Sequence, residues 1–264
     1  MSTINGIITK GTKGFIVEFI QERLNEYGIN VTVDGDFGNA TEVAVKEFQT
    51  MSGLYSDGKV GPMTAEVLEA APEDLSLLHL AMDSVAKELG IELATLKAVR
   101  EIESNGNGFL EPNIPVILFE RHWMYRRLRD AGLRHKLYAK VVPAIVNIHS
   151  GGYLGYADEW LRLGIAKSID LDCALESCSW GAYQIMGFHW KALGFTSVVE
   201  MVEMMSKNRV GQLEVFSRFI KSDPRLVSAL QQKNFTLFAR VYNGPNYKVN
   251  NYDVKLEIAY NKFR

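Results

Sequence analysis

The chain has no long apolar run; no stretch approaches the roughly 20 residues that a membrane-spanning helix needs. Its first residues, Met1 to Gly14, lack the charged, then apolar, then small-residue plan of a secretory leader. The expectation is therefore synthesis and folding in a cytoplasm, with no membrane insertion. Cysteine is scarce. Cys173 and Cys178 are too few for a disulfide framework, and C-x4-C fits no usual zinc spacing. Read as one helix, the segment points the two in different directions, as free and partly buried thiols. The histidines (His79, His122, His135, His149, His189) form no H-E-x-x-H or comparable ligand set, so neither a metal nor a cofactor is expected. No G-x-S-x-G occurs, and the glycine-rich stretches lack a phosphate-binding lysine. Charge of one sign is missing too: 29 Lys+Arg against 31 Asp+Glu give a net charge of −2. That balance gives no global pull toward nucleic acid or anionic lipid. One local basic run (Arg121, Arg126, Arg127, Arg129, Arg134, Lys136, Lys140) reads as a solvated helix face.

What is present is an internal repeat. Asp34-Gly35-Asp-Phe37-Gly38-Asn-Ala-Thr41 is echoed by Asp57-Gly58-Lys-Val60-Gly61-Pro-Met-Thr64, both D-G-x-x-G-x-x-T. Asp-Gly makes a tight turn, the second Gly allows a close backbone approach, and a Ser/Thr/Asn-type residue opens the next helix. Val17, Phe19, Ile20 and Leu24 line a helix before the first copy, and Val43, Val45 and Phe48 one after it. The pattern predicts a compact three-helix unit. A chain of 264 residues has room for a second, larger domain, so we divide it into 1–70, a connection 71–77 and 78–264. The larger part reads as helices ending at Gly90 and at Glu103, then a short β-prone run at 114–120, then helices over Ser197–Ile220, Arg225–Gln231, Phe235–Tyr242 and Asp253–Phe263. The fold class is mainly α, with a small β element.

Three motifs carry chemistry. Leu96, Val99 and Glu103 share one helical face, which puts a carboxylate where a core residue is usual; Gly106 and Gly108 stop the helix. Desolvation and the negative end of the helix dipole both push such a group toward its protonated form, the state a glycosidase acid needs. A buried Glu paired with Arg121 or Arg240 is the alternative reading. Trp180-Gly181-Ala-Tyr183-Gln184-Ile185-Met186 reads as a closely packed helix with one amide aimed into a groove, or simply as core. Tyr242-Asn243-Gly244-Pro245 ends a helix on which Phe235, Phe238 and Tyr242 share a face, either beside a sugar or as a bare cap.

The repeat unit resembles the small peptidoglycan-binding domain of cell-wall hydrolases. Its usual features appear here as Gly11…Gly14, Val17, Gln21, Leu24, Asp34, Gly35, Phe37, Gly38, Thr41, Val45, Phe48-Gln49, Leu54, Asp57, Gly58, Gly61 and Thr64. In order, Glu103-Ser-x-Gly106-x-Gly108-Phe109, Ile117-Leu-Phe-Glu120-Arg-His122, Gly151-Gly152-Tyr153, Ser179-Trp180-Gly181-x-x-Gln184-Ile-Met-Gly187 and Tyr242-Asn243-Gly244-Pro245 resemble the N-acetylmuramidase domain of modular phage endolysins, within the lysozyme-like superfamily.

That resemblance implies a three-helix wall-binding domain ahead of an α-helical lysozyme-like domain. It implies hydrolysis of the β-1,4 bond between N-acetylmuramic acid and N-acetylglucosamine in bacterial peptidoglycan. Glu103 would be the general acid and Glu120 the second carboxylate, with Ser179, Gln184, Tyr242 and Asn243 holding the acetamido sugars. For Glu120 the alternative is a salt bridge to Arg121 or Arg126. The expected protein is a monomer made in the host cytoplasm that reaches periplasmic peptidoglycan once the inner membrane is breached. A lytic transglycosylase acting on the same bond, or a non-catalytic wall-binding phage protein, are the rival readings.

Overall fold

The computed structural model describes residues 4, 6–52, 54–69, 72–103, 108–111, 113–155, 157–244 and 247–264. Ser104, Gly106 and Pro245 of the motifs lie outside these. The chain is mainly α, as the sequence predicts, and forms two compact units: residues 1–102 with 228–264, and residues 103–227. This division by compactness differs from the division by motif at 70 and 78.

The first unit begins with α1 (Phe15–Glu26), α2 (Asn39–Met51) and α3 (Pro62–Glu69). Val17, Ile20, Leu24, Phe37, Val45, Phe48, Val60 and Leu68 form its core, whereas Val43 points outward. The two repeat turns are held from inside by two glutamines. Gln21, fully buried, donates its amide to Asp34 Oδ1 at 2.8 Å and Thr41 Oγ1 at 2.9 Å, and accepts the N–H groups of Asp34 and Gly35 at 3.0 Å. Gln49 repeats this on the second copy, donating to Asp57 Oδ1 at 3.0 Å and Thr64 Oγ1 at 3.1 Å and accepting from Gly58 N–H at 2.8 Å. The threonines therefore do not open the helices; they sit in the first turn and accept from these amides.

The unit continues with α4 (Pro72–Leu89), α5 (Leu93–Glu103) and three C-terminal helices, α12 (Pro224–Gln231), α13 (Phe235–Tyr242) and α14 (Tyr252–Phe263). Gly90 takes φ +66° past the end of α4, where the Ile91 N–H bonds Ala86 O, the C-cap that its sequence predicts. Gln231 bonds Leu89 O at 2.8 Å, Tyr260 Oη donates to Glu92 at 2.6 Å, and Lys262 pairs with Glu101 at 2.9 Å, so the chain's last helices return to α4 and α5. Arg100 on α5 lies 3.7 Å from Glu66 on α3, both little exposed.

The second unit holds β1 (Phe109–Glu111), β2 (Ile114–Pro115), β3 (Ile117–Phe119), α6 (Arg121–Asp130), α7 (His135–Val141), α8 (Asp158–Lys167), α9 (Leu171–Glu176), β4 (Cys178–Trp180), β5 (Ile185–Met186), α10 (Val198–Lys207) and α11 (Arg209–Ser222). β3, β4 and β5 form an antiparallel sheet with Leu118 opposite Ser179 and Ser179 opposite Met186. The helix expected over Trp180–Met186 is thus a hairpin; three- and two-residue strands are too short to leave a period in the sequence. Cys173 and Cys178 likewise sit on α9 and β4 rather than on one helix. The helix expected over 197–220 breaks at Asn208, whose extended backbone (φ −172°) separates α10 from α11 and whose side chain caps Gly211 N–H at 2.9 Å.

Replacing Gln49 by Leu leaves the Gly58 N–H and Lys59 O without their partner, and we expect a loss of about 2–4 kcal/mol in a urea titration of the full chain. Thr50→Ala, at an exposed hydroxyl on the same helix, changes it by less than about 0.5 kcal/mol. The cysteines give a second check. Burial pushes the Cys173 thiol up to about 12 and Cys178 well above the usual thiol range. Iodoacetamide at pH 8 accordingly labels neither thiol in the folded protein and both in urea.

Candidate active site

Glu103 is the last residue of α5. Leu96 and Val99, on its face, are fully buried, and Glu103 itself is half-buried. Arg100 stands one turn earlier. The spacing predicts apolar surroundings for this carboxylate; it is half-buried at the helix end, with Leu96 and Val99 enclosed on its face. Arg121, one proposed partner for such a glutamate, directs its guanidinium to the carbonyls of His149 at 3.0 Å and Ser150 at 2.8 Å.

Glu120 follows β3 and is the N-cap residue of α6: Trp123 and Met124 donate their N–H groups to its carbonyl. Its carboxylate does not cap the helix. Instead Tyr153 Oη lies 3.0 Å from both carboxylate oxygens, and His122 Nδ1 lies 3.0 Å from Oε2. The histidine contact is close in distance but not aligned as a hydrogen bond; it becomes an ion pair when the ring is protonated. Arg126, the other partner the sequence offers, lies over the Trp123 ring at 4.7 Å. Desolvation and the Glu120 carboxylate both raise the Tyr153 phenol above its ordinary value, so the hydroxyl stays a donor.

The sheet places Ser179 on the strand paired with the one that leads into Glu120. Ser179 pairs with Leu118, two residues before Glu120, and the Glu120 N–H bonds Ser177 O at 2.9 Å. Ser179 Oγ donates to Gln184 Oε1 at 2.7 Å, and Gln184 Nε2 donates to Gly181 O at 2.8 Å. Gln184 is exposed and takes φ +47°, a left-handed conformation rare for a side chain of its kind. Tyr242 closes α13, stacked on buried Phe238 at 5.3 Å and 16°, and Asn243 is its C-cap residue. Glu120, Ser179 and Gln184 lie in the second unit, and Tyr242 and Asn243 in the first.

Asp34, Thr41, Asp57 and Thr64 of the repeat direct their side chains to the glutamines inside the turns, and Phe37 is in the core. Gly35, Gly38, Gly58 and Gly61 shape the same turns. Among the described residues, no group of three His, Cys, Asp or Glu side chains is placed to hold a metal, and no helix is long and apolar enough to cross a membrane.

Two buried side chains organise the second unit around Glu120 and Ser179, and sequence reasoning missed both. Glu159 on α8 is completely enclosed and bonds Arg162 at 2.7 Å. Desolvation works against its charge. The N–H groups of Leu154, Gly155 and Phe119, together with Arg162, outweigh that and hold the carboxyl below the usual carboxylate range. Gln212 on α11 accepts from Ala182 N–H at 2.8 Å and donates to Gly108 O at 3.0 Å. It thereby links Gly108 to the β4–β5 turn. Both glycines facing it are required: a Cβ on Gly108 would stand 2.2 Å from its Oε1, and one on Gly181, at φ +67°, 2.6 Å from its Cδ. A signal for Glu159 existed. Glu159, Arg162, Leu163 and Ala166 share one helix face, so two charges occupy a stripe otherwise buried.

Residues 92–264 match the N-acetylmuramidase family. The chain belongs to that family. Residues 14–68 match the family of putative peptidoglycan binding domains. Among solved structures the chain is similar to the crystal structure of the Burkholderia AP3 phage endolysin, at 43% identity, over 97% of this chain and 98% of that one, with a TM-score of 0.78. A curated relative, the zinc D-Ala-D-Ala carboxypeptidase of Streptomyces albus G, is 36% identical over 75 residues, 27% of this chain; the chain spans 29% of that protein's length. This N-acetylmuramidase is therefore a glycoside hydrolase of the lysozyme type carrying a peptidoglycan-binding domain, and peptidoglycan is its substrate.

In this muramidase Gly181→Ala forces a side chain onto Gln212 at a left-handed backbone. We expect a stability loss greater than about 1 kcal/mol by thermal unfolding, accompanied by reduced clearing of peptidoglycan.

Proposed function

We propose that the chain is a phage endolysin in which Glu103 is the general acid and Glu120 the second carboxylate. The half-buried carboxylate closing α5 is the observation that carries this reading. Apolar neighbours and the negative end of the helix dipole favour its protonated form, ready to donate to the oxygen bridging N-acetylmuramic acid and N-acetylglucosamine. As that bond breaks, positive charge develops at the anomeric carbon. Glu120 takes a proton from the attacking water, which adds to that carbon and leaves a free reducing end. Ser179, Gln184, Tyr242 and Asn243 are the residues that hold the acetamido sugars in this reading.

The endolysin role is supported by similarity, across nearly the whole chain, to a protein described as a phage endolysin. In that role the protein acts as a monomer. It collects in the host cytoplasm and meets periplasmic peptidoglycan when the inner membrane is permeabilised. Residues 1–70 bind the wall, with Asp34, Gly35, Phe37, Gly38, Thr41, Asp57, Gly58, Gly61 and Thr64 maintaining the turns of that module, and 78–264 form the catalytic domain.

Mass spectrometry of digested peptidoglycan tests the chemistry. Hydrolysis gives products one water heavier than the 1,6-anhydro ends of a transglycosylase, and we expect the hydrated form alone. Glu103→Gln lowers the rate by about 10²–10⁴-fold, and Glu120→Gln lowers it substantially. Anhydro products, or wild-type clearing by Glu103→Gln, would overturn the assignment.

A further inference from the structure

We propose that Tyr153 is a positioning residue for the Glu120 carboxylate, held in place by the buried Glu159–Arg162 pair. The inference rests on the reading of Glu120 as the second carboxylate and adds the means by which that group is oriented.

The two oxygens of Glu159 face two different segments. Oε2 accepts the Phe119 N–H at 3.1 Å, on the residue directly before Glu120. Oε1 accepts the N–H groups of Leu154 at 2.6 Å and Gly155 at 3.1 Å, directly after Tyr153. One enclosed side chain therefore sets the spacing between the strand end that carries Glu120 and the loop that carries Tyr153. Arg162 fixes the same strand end from its other side, donating to Phe119 O at 2.9 Å and, with its second nitrogen, to Ala144 O at 3.0 Å. Both backbone polar groups of Phe119 are thus bound by one ion pair.

The result appears at Tyr153. Its hydroxyl carries one proton and stands 3.0 Å from each Glu120 oxygen, so it bridges the carboxylate and fixes its plane. His122 Nδ1 stands 3.0 Å from Oε2 of the same carboxylate. Tyr153 is also 46% exposed, which separates this role from a place in the core. Losing its hydroxyl removes a contact to Glu120 and little packing. The N–H groups that tie this loop to the buried anion belong to Leu154 and Gly155, directly after the exposed ring.

The test compares Tyr153→Phe, Glu159→Gln, their double variant and Glu120→Gln on soluble, un-cross-linked glycan strands, reading kcat, KM and the thermal midpoint. Tyr153→Phe lowers kcat by about tenfold, with KM and the thermal midpoint unchanged. Glu159→Gln lowers kcat as well, and the double variant is no slower than Glu159→Gln alone, because both changes release the same carboxylate. Where Glu159→Gln does not fold, Tyr153→Phe decides by itself. Wild-type kcat in Tyr153→Phe beside an inactive Glu120→Gln overturns the positioning role and leaves Glu120 in place. Near-wild-type activity in Glu120→Gln overturns the reading of Glu120, and the positioning role with it.

Discussion

The second unit depends on a carboxylate that water never reaches. Glu159 is anionic inside the protein because three backbone N–H groups and one guanidinium surround it. A buried ion pair is a weak source of net stability, since desolvation offsets most of the attraction, but removing one partner leaves an uncompensated charge. Such a pair is best understood by what it specifies. Here it specifies where a three-residue strand stops and where a glycine-rich loop lies against it, neither of which has enough backbone pairing of its own to fix its position. The pair also imposes a direction on pH dependence. An acid held below its unfolded value favours the folded state at neutral pH, and that contribution fades as pH falls through the lower, folded-state value.

The same solution recurs elsewhere in the chain on a neutral scale. Gln21, Gln49 and Gln212 are each buried, and each joins the donors and acceptors of a turn to side chains or carbonyls distant in sequence. A primary amide suits this because it both donates and accepts without a charge to desolvate. In the wall-binding module two such amides make the repeated turns equivalent. In the catalytic domain one amide joins Gly108 to the turn before Gln184. Short strands and irregular loops gain through these hubs the positional order that helices obtain from their own hydrogen bonds.

This division explains what the sequence disclosed. Long helices with an apolar stripe were legible: α13 lies where its pattern predicts, α12 and α14 within a residue of it, and on the α5 face Leu96 and Val99 are fully buried while Glu103 is half-buried. The repeat disclosed the turns, though it hid that Thr41 and Thr64 face inward. The hairpin at 178–186 was misread as a helix because its strands are shorter than a period. Asn208 was passed over because an extended N-cap leaves the apolar rhythm of α10 and α11 almost unbroken. Glu120 was legible by family pattern alone, while its partners Tyr153 and His122 could not be derived from spacing. Tyr153 is 33 residues away, and the buried pair that holds it shows in the sequence only as two charges on the stripe of α8 shared with Leu163 and Ala166.

The proposed roles of the two carboxylates also follow from where they sit on their helices. Glu103 ends α5, beside the unsatisfied carbonyls of the helix's last turn. Glu120 begins α6, where N–H groups point outward, and its side chain meets a phenol and an imidazole rather than acceptors. A glycosidase needs two carboxyl groups in different surroundings, and these two differ in theirs, one at the C-terminal end of α5 and the other beside a phenol and an imidazole at the start of α6. The requirement on the rest of the catalytic domain is then geometric: it must hold a strand end, a loop and a turn still enough for that difference to act on one sugar bond, which is what its buried Glu, Arg and Gln side chains do.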